Sequence, residues 1–181
     1  DIIEGQATVA HEIAAQMPGG EDPDILVLPV GGGGLAAGAT RYFGERQAAT
    51  RFVFCEPDGA PSLHESLLAG KRVKLPAVDN FVDGAAVAEI GREPFRYLKD
   101  FPADSTRLIP ENRLCATMIE MLNIEGVVLE PAGALAIDAL KDFSRKELKG
   151  KTVVCVVSGG NFDFERLPDV KERALRFEGL K

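Results

Sequence analysis

Four consecutive glycines, Gly31 to Gly34, join an apolar run, ILVLPV (25–30), to a helical pattern, LAAGATRYFGER (35–46). Glycine loses more backbone freedom on folding than any other residue, so four in a row carry a heavy entropic cost. A plain turn needs one or two. Four let the backbone reach unusual dihedrals and bring several N–H groups towards one anion, with no side chain in the way. The helix that follows adds its positive dipole end. Gly31, Gly32, Gly33, Gly34 and Leu35 are therefore candidate phosphate-binding residues. No Lys-Ser/Thr pair follows them, which argues against a magnesium-dependent nucleotide loop. The competing reading is a flexible loop without a ligand.

The rest of the chain predicts the layers around this loop. RFVFC (51–55), GVVLE (126–130) and TVVCVV (152–157) are continuous apolar runs rich in β-branched residues, as is ILVLPV. Such runs mark strands buried on both faces of a parallel sheet. Helical patterns lie between them. IIEGQATVAHEIAAQM places Ile2, Val9, Ile13 and Met17 on one face. ENRLCATMIEMLN carries Leu114, Ile119 and Leu122 behind Pro110, and PAGALAIDALKDF starts on Pro131, where a missing N–H costs nothing. This order predicts a three-layer α/β fold with a mostly parallel sheet. The stretch 70–110 holds Pro76, Pro94, Pro102 and Pro110 and reads as loops and short helices lining a cleft. At 181 residues the length fits one domain.

In open α/β sheets, ligands sit beyond the carboxyl ends of the strands. Three strand ends offer chemistry besides the glycines. Glu56 follows RFVFC, and Gly32-Gly33-Gly34-Leu35-Ala36-Ala37 fits G-x-G-x-x-A, so a dinucleotide site with Glu56 on the ribose is one reading. Glu130 precedes the Pro131 helix, as either a charge partner of the helix start or a site residue. Ser158 opens the SGGN turn. G-x-S-x-G is absent there, which leaves a hydroxyl hydrogen bond to a ligand rather than a nucleophile. A compact phosphorylated cofactor uses the glycine cradle, Glu130 and Ser158 together, whereas a dinucleotide does not call for the SGGN turn.

Charge and cysteine content narrow the partners. With 28 acidic and 21 basic residues the net charge is −7, unfavourable for a nucleic-acid partner. No apolar run approaches the ~20 residues of a membrane helix. Cys55, Cys115 and Cys155 read as reduced, mostly buried thiols of a cytoplasmic protein. With no CxxC and only His11 and His64, a structural zinc site is not expected.

Taken in order, GGGGLAAG, FVDGAAV, VVLEPAGALA and VVSGGN resemble the pyridoxal-phosphate enzymes of fold type II. Of these, the chain is most similar to the biosynthetic threonine deaminase branch, with serine racemase and serine dehydratase as relatives. IIEGQATVAHEI and RLPDVKERALRFEGLK extend the likeness over nearly the whole chain. The resemblance implies pyridoxal 5′-phosphate as cofactor and a small amino acid as substrate. It places Gly31 to Leu35 on the cofactor phosphate, Ser158 on the pyridine nitrogen, and Asp83 and Gly84 beside the ring. Glu130 becomes the candidate catalytic carboxylate. Glu56 and Ala60 match two positions of a cation site in serine racemase, but the third, acidic position is Ser62 here, so no metal is expected. The family's Schiff-base lysine lies upstream of the glycine loop, and no lysine precedes Gly31. The chain is therefore expected to be the C-terminal part of a large catalytic domain, inactive alone. The lysine segment, the small domain and a regulatory domain would lie outside it, and the complete protein is expected to be a dimer or tetramer.

Overall fold

The computed structural model describes residues 2–180. The elements are α1 (Ile2–Gln16), β1 (Ile25–Pro29), α2 (Gly34–Glu45), β2 (Arg51–Pro57), α3 (Ser62–Ala69), α4 (Arg92–Leu98), β3 (Thr106–Ile109), α5 (Glu111–Glu120), α6 (Pro131–Asp138), α7 (Arg145–Leu148), β4 (Val153–Cys155) and α8 (Leu167–Phe177). The sheet is wholly parallel, in the order β3-β2-β1-β4. In β1 all five residues are buried, as their uninterrupted apolar character requires.

Strand alternation divides the core. Leu26, Leu28 and Phe54 point to one face and pack under α1, α2 and α4, where Phe43, Phe95 and Leu98 complete the layer. Ile25, Val27, Val53 and Cys55 point to the other, under α5, α6 and α8. The expected three-layer fold is thus formed. On α1 the buried residues are Ile3 and Ala10, while Ile2 is exposed, so the inward face differs from the one predicted through Ile2 and Val9. The cause is Gly38 on α2. A Cβ there would stand 2.7 Å from the Ile3 carbonyl oxygen and 2.8 Å from the Ala7 nitrogen. The two helices touch backbone to backbone, and small residues hold the interface.

Two strand predictions need correction. GVVLE (126–130) is not a strand. Gly126, at φ 67°, ends a π turn over Met121–Glu125, and the extended chain after it joins the 156–161 exit only through the Glu130 N–H to the Gly159 carbonyl, at 3.1 Å. Conversely, β3 lies inside the stretch read as loops. Its residues Phe54↔Thr106 to Pro57↔Ile109 extend the sheet beside the carboxyl end of β2.

Candidate active site

β1 and β4 are neighbours in the sheet, and the chain leaves β1 for α2 on one face and leaves β4 for α8 on the other. A crevice opens at such a switch point. The exits of β1 and β4 meet there, which brings Gly31 to Gly34 and Ser158 to one cavity of about 200 Å3, with Leu35, Gly84 and Ala132 also on its wall.

Each glycine of the loop answers to a different constraint. Gly31 runs under the neighbouring loop, where a Cβ would meet the Ala85 Cα at 3.0 Å. Gly33 has φ 84°, in the left-handed region, and a Cβ would lie 2.7 Å from Ile90 Cδ1. Gly32 faces open space. The Ala37 N–H donates the first intrahelical bond of α2, to the Gly33 carbonyl at 2.9 Å. The amides of Gly34, Leu35 and Ala36 precede it and stand at the helix's positive end. The result is an uncharged anion cradle.

A second cavity, about 330 Å3, adjoins the first through Gly84 and is lined by Asp83, Glu130, Asn161, Asp163 and Arg166. Glu130 makes no side-chain cap to α6. Its Oε1 instead lies between two glycines, 3.3 Å from where a Gly84 Cβ would stand and in the space that a Gly159 Cβ would need. The site reading of Glu130 is therefore the one that its geometry supports. Asp83, with a side chain 72% exposed, stands at the cavity mouth 3.6 Å from Arg166.

Glu56 is elsewhere. Its carboxylate is fully buried and accepts from the amides of Leu63 at 2.7 Å and His64 at 2.8 Å, and from the Ser62 hydroxyl at 3.4 Å. It is the N-terminal anchor of α3, which removes the ribose-binding role that a dinucleotide site needs. Burial pushes it up to about 7, against those hydrogen bonds. The Ala60 carbonyl accepts from the Ser62 N–H at 2.9 Å, so both weak cation-site candidates are engaged within the chain. Burial also pushes Cys115 to about 12 and Cys155 to about 11, and Cys55 higher than its usual range, leaving all three as neutral thiols.

Gln6, Ala132, Asn161 and Arg166 line the cavities without having been singled out in the sequence. For Asn161 a signal existed, in the SGGN turn. Arg166 lies in an ordinary charged run.

Residues 1–159 match the family model described as pyridoxal-phosphate dependent enzyme. The chain belongs to that family. Over its whole length it is 46% identical to a biosynthetic L-threonine dehydratase, IlvA, of Bacillus subtilis. Over 99% of its length it is 44% identical to the protein of that name from Halalkalibacterium halodurans. It spans 42% of the length of each of these curated relatives. The structure of the processed form of threonine deaminase isoform 2 from Solanum lycopersicum superposes with a TM-score of 0.85 at 36% identity, over 95% of this chain and 49% of that one. The cavity suits the family's cofactor. A side-chain-free cradle at a helix start fits its phosphate, and a neutral hydroxyl beside Gly84 fits a ring nitrogen. No lysine among the described residues lines either cavity.

Proposed function

We propose that the chain forms the cofactor-phosphate portion of the large domain of a pyridoxal-phosphate-dependent ammonia-lyase. In this reading the complete protein converts L-threonine to 2-oxobutanoate and ammonia, and L-serine to pyruvate and ammonia, in the synthesis of isoleucine. A serine dehydratase or racemase is the runner-up. The observation that carries the reading is the convergence of the glycine cradle, Ser158 and Gly84 on one cavity, with Glu130 on the next. The family and the threonine dehydratase relatives support the choice of chemistry.

Pyridoxal phosphate, when bound, supplies the electron sink for bond breaking at the amino acid's Cα and Cβ. The amides of Gly31 to Leu35 would hold its phosphate without a cationic side chain. The Ser158 hydroxyl would face the ring nitrogen as a neutral partner, which supports the sink less than a carboxylate does. Glu130, held against Gly84 and Gly159, is the carboxyl group that would give a proton to the departing hydroxyl. Gly84 would wall the ring's side of the first cavity, with Asp83 at the mouth of the second. We assign the lysine that carries the cofactor to a segment of the complete protein outside this chain. Exposed Val127, Val157 and Phe164 are consistent with cover by that segment or by a second copy in a cytoplasmic dimer or tetramer. Among the described residues no helix is long and apolar enough to cross a membrane.

The test is turnover by the full-length protein with added pyridoxal phosphate, followed as 2-oxobutanoate and pyruvate. Threonine deamination that falls at least a hundredfold in Glu130→Gln, with the cofactor still bound, is expected (on the order of the effect of one acid–base group). A protein that binds no pyridoxal phosphate, or a Glu130→Gln variant of full activity, refutes the corresponding part.

A further inference from the structure

Gly84 belongs to both cavities, so its position decides how they join. It packs against two side chains with no room for its own. A Cβ there would lie 2.9 Å from the Ala132 Cβ and 3.3 Å from Glu130 Oε1. The loop that delivers it, 81–84, has mostly local hydrogen bonds. The Phe81 N–H donates to Asp79 Oδ1 at 2.8 Å, the Gly84 N–H to Asp83 Oδ1 at 3.1 Å, and the Ala85 and Ala86 N–H groups to the Val82 carbonyl at 2.9 and 2.8 Å. The polar tie across the fold comes from one side chain. Arg166 Nη2 donates to the Phe81 carbonyl at 2.7 Å, while Nη1 stands 3.6 Å from Asp83 Oδ1. The same guanidinium lies 5.1 Å from the centre of the Phe81 ring, and Arg173 of α8 lies 4.0 Å from it.

An arginine suits this place because its planar fork can serve a carbonyl and a carboxylate at once, whereas a lysine presents one donor centre. Arg166 also lines the second cavity, beside the acids Asp83, Glu130 and Asp163. We propose that Arg166 is a positioning residue: it clamps loop 81–84 between the exit of β4 and α8, so that Gly84 holds the wall shared by the two cavities. It acts through the loop and leaves the cofactor and the reacting atoms to others. This inference rests on the reading of the first cavity as a pyridoxal-phosphate site.

The test uses the full-length protein and three readouts: the Kd for pyridoxal phosphate, the visible circular dichroism of the bound cofactor, and the Tm of the apoprotein. Arg166→Met keeps bulk and removes both polar contacts. It is expected to raise the Kd about tenfold, the scale of one lost charge-assisted hydrogen bond, and to reduce the dichroic band by half or more. Arg166→Lys keeps the charge and can keep the carbonyl bond, so it should fall between wild type and Arg166→Met in both. A role in stability alone would lower the apoprotein Tm and leave the dichroism unchanged. A folded Arg166→Met variant with wild-type Kd and dichroism overturns the proposal. If Arg166→Met does not fold, an Arg166→Lys variant indistinguishable from wild type overturns it equally. A wild-type protein without any cofactor signal overturns the reading of the cavity and this inference with it. Binding by wild type with no change in the variants defeats the inference alone.

Discussion

Adding one methyl group to adjacent glycines of the cradle should separate folding from binding. In Gly33→Ala two costs combine. At φ 84° an L-residue meets the steric penalty of the left-handed region, about 1–2 kcal/mol. Its Cβ would also lie 2.7 Å from Ile90 Cδ1 and 3.0 Å from Pro94 Cβ. Ile90 is fully buried and cannot swing away, so overpacking adds about 1–3 kcal/mol. The sum, about 2–5 kcal/mol, lowers the Tm by several degrees, and by less per kcal/mol the larger the complete protein is. In Gly32→Ala the Cβ meets nothing within 4 Å. Stability should then change by less than about 1 kcal/mol. Gly32 lines the first cavity, so a methyl group there should crowd a bound phosphate and lower affinity at least tenfold. Thermal unfolding of the apoproteins and fluorescence titration with pyridoxal phosphate measure both quantities in the full-length protein. A Gly33→Ala variant as stable as wild type, or a Gly32→Ala variant that binds as wild type does, would refute the division of labour within the loop.

Three further outcomes are expected. Because burial holds Glu56 at about 7 against an ordinary 4.5, the folded chain keeps a proton that the unfolded chain has lost between those values. Its contribution is fully present below the lower value and is lost as pH rises through the window. The stability difference between wild type and Glu56→Gln should thus shift by about 2–3 kcal/mol between pH 4.5 and 7, and a pH-independent difference in urea unfolding would contradict this. Asp138, fully buried, accepts from Arg113 at 2.7 Å and from the Thr117 hydroxyl at 2.6 Å, while Arg113 also pairs with Asp142 at 2.6 and 2.9 Å. Because Asp142 still neutralises the guanidinium, Asp138→Ala should cost about 1–3 kcal/mol, and an unchanged stability would show that the buried network has no such role. Ser158→Asp puts a charge where the proposed function has a neutral hydroxyl facing the ring nitrogen. It should shift the absorption of the bound cofactor and slow threonine turnover, and unchanged spectra and kinetics would remove Ser158 from the ring.

The parts of the fold legible in the sequence were those whose chemistry is local. β1 is buried along its whole length and reads as an unbroken apolar run. β3, Thr-Arg-Leu-Ile at the sheet's edge, is four residues long with a half-buried arginine, so no run announces it. GVVLE has the composition of a strand, but hydrogen-bond pairing makes a strand, and its backbone joins the β4 exit through a single bond from Glu130. In the site, the glycines and Ser158 follow from motif and strand order. Arg166 could not, because its partner is a carbonyl 85 residues away.

The two glutamates that the sequence pattern puts at strand ends show the limit most clearly. Glu130, placed one residue before a proline-started helix, has the sequence setting of a helix charge partner, yet its side chain makes no cap and turns into the cavity beside Gly84. Glu56, with the setting of a ligand-binding acid at the end of a buried strand, is the one that serves a helix start. The backbone that follows each explains the exchange. After Glu56 the chain turns tightly, with Ala60 N–H bonded to the Pro57 carbonyl at 3.0 Å, and α3 begins directly over the carboxylate. Its first amides are supplied to a group that is already buried. After Glu130 the helix starts at once. Pro131 offers no N–H, and Gly133 donates to the Glu130 carbonyl at 3.0 Å. The early amides of α6 thus place no hold on the side chain, which is free to face the two glycines. Whether an acidic residue at the end of an extended run anchors a helix or faces a cavity is set by how soon, and in which direction, the next helix returns.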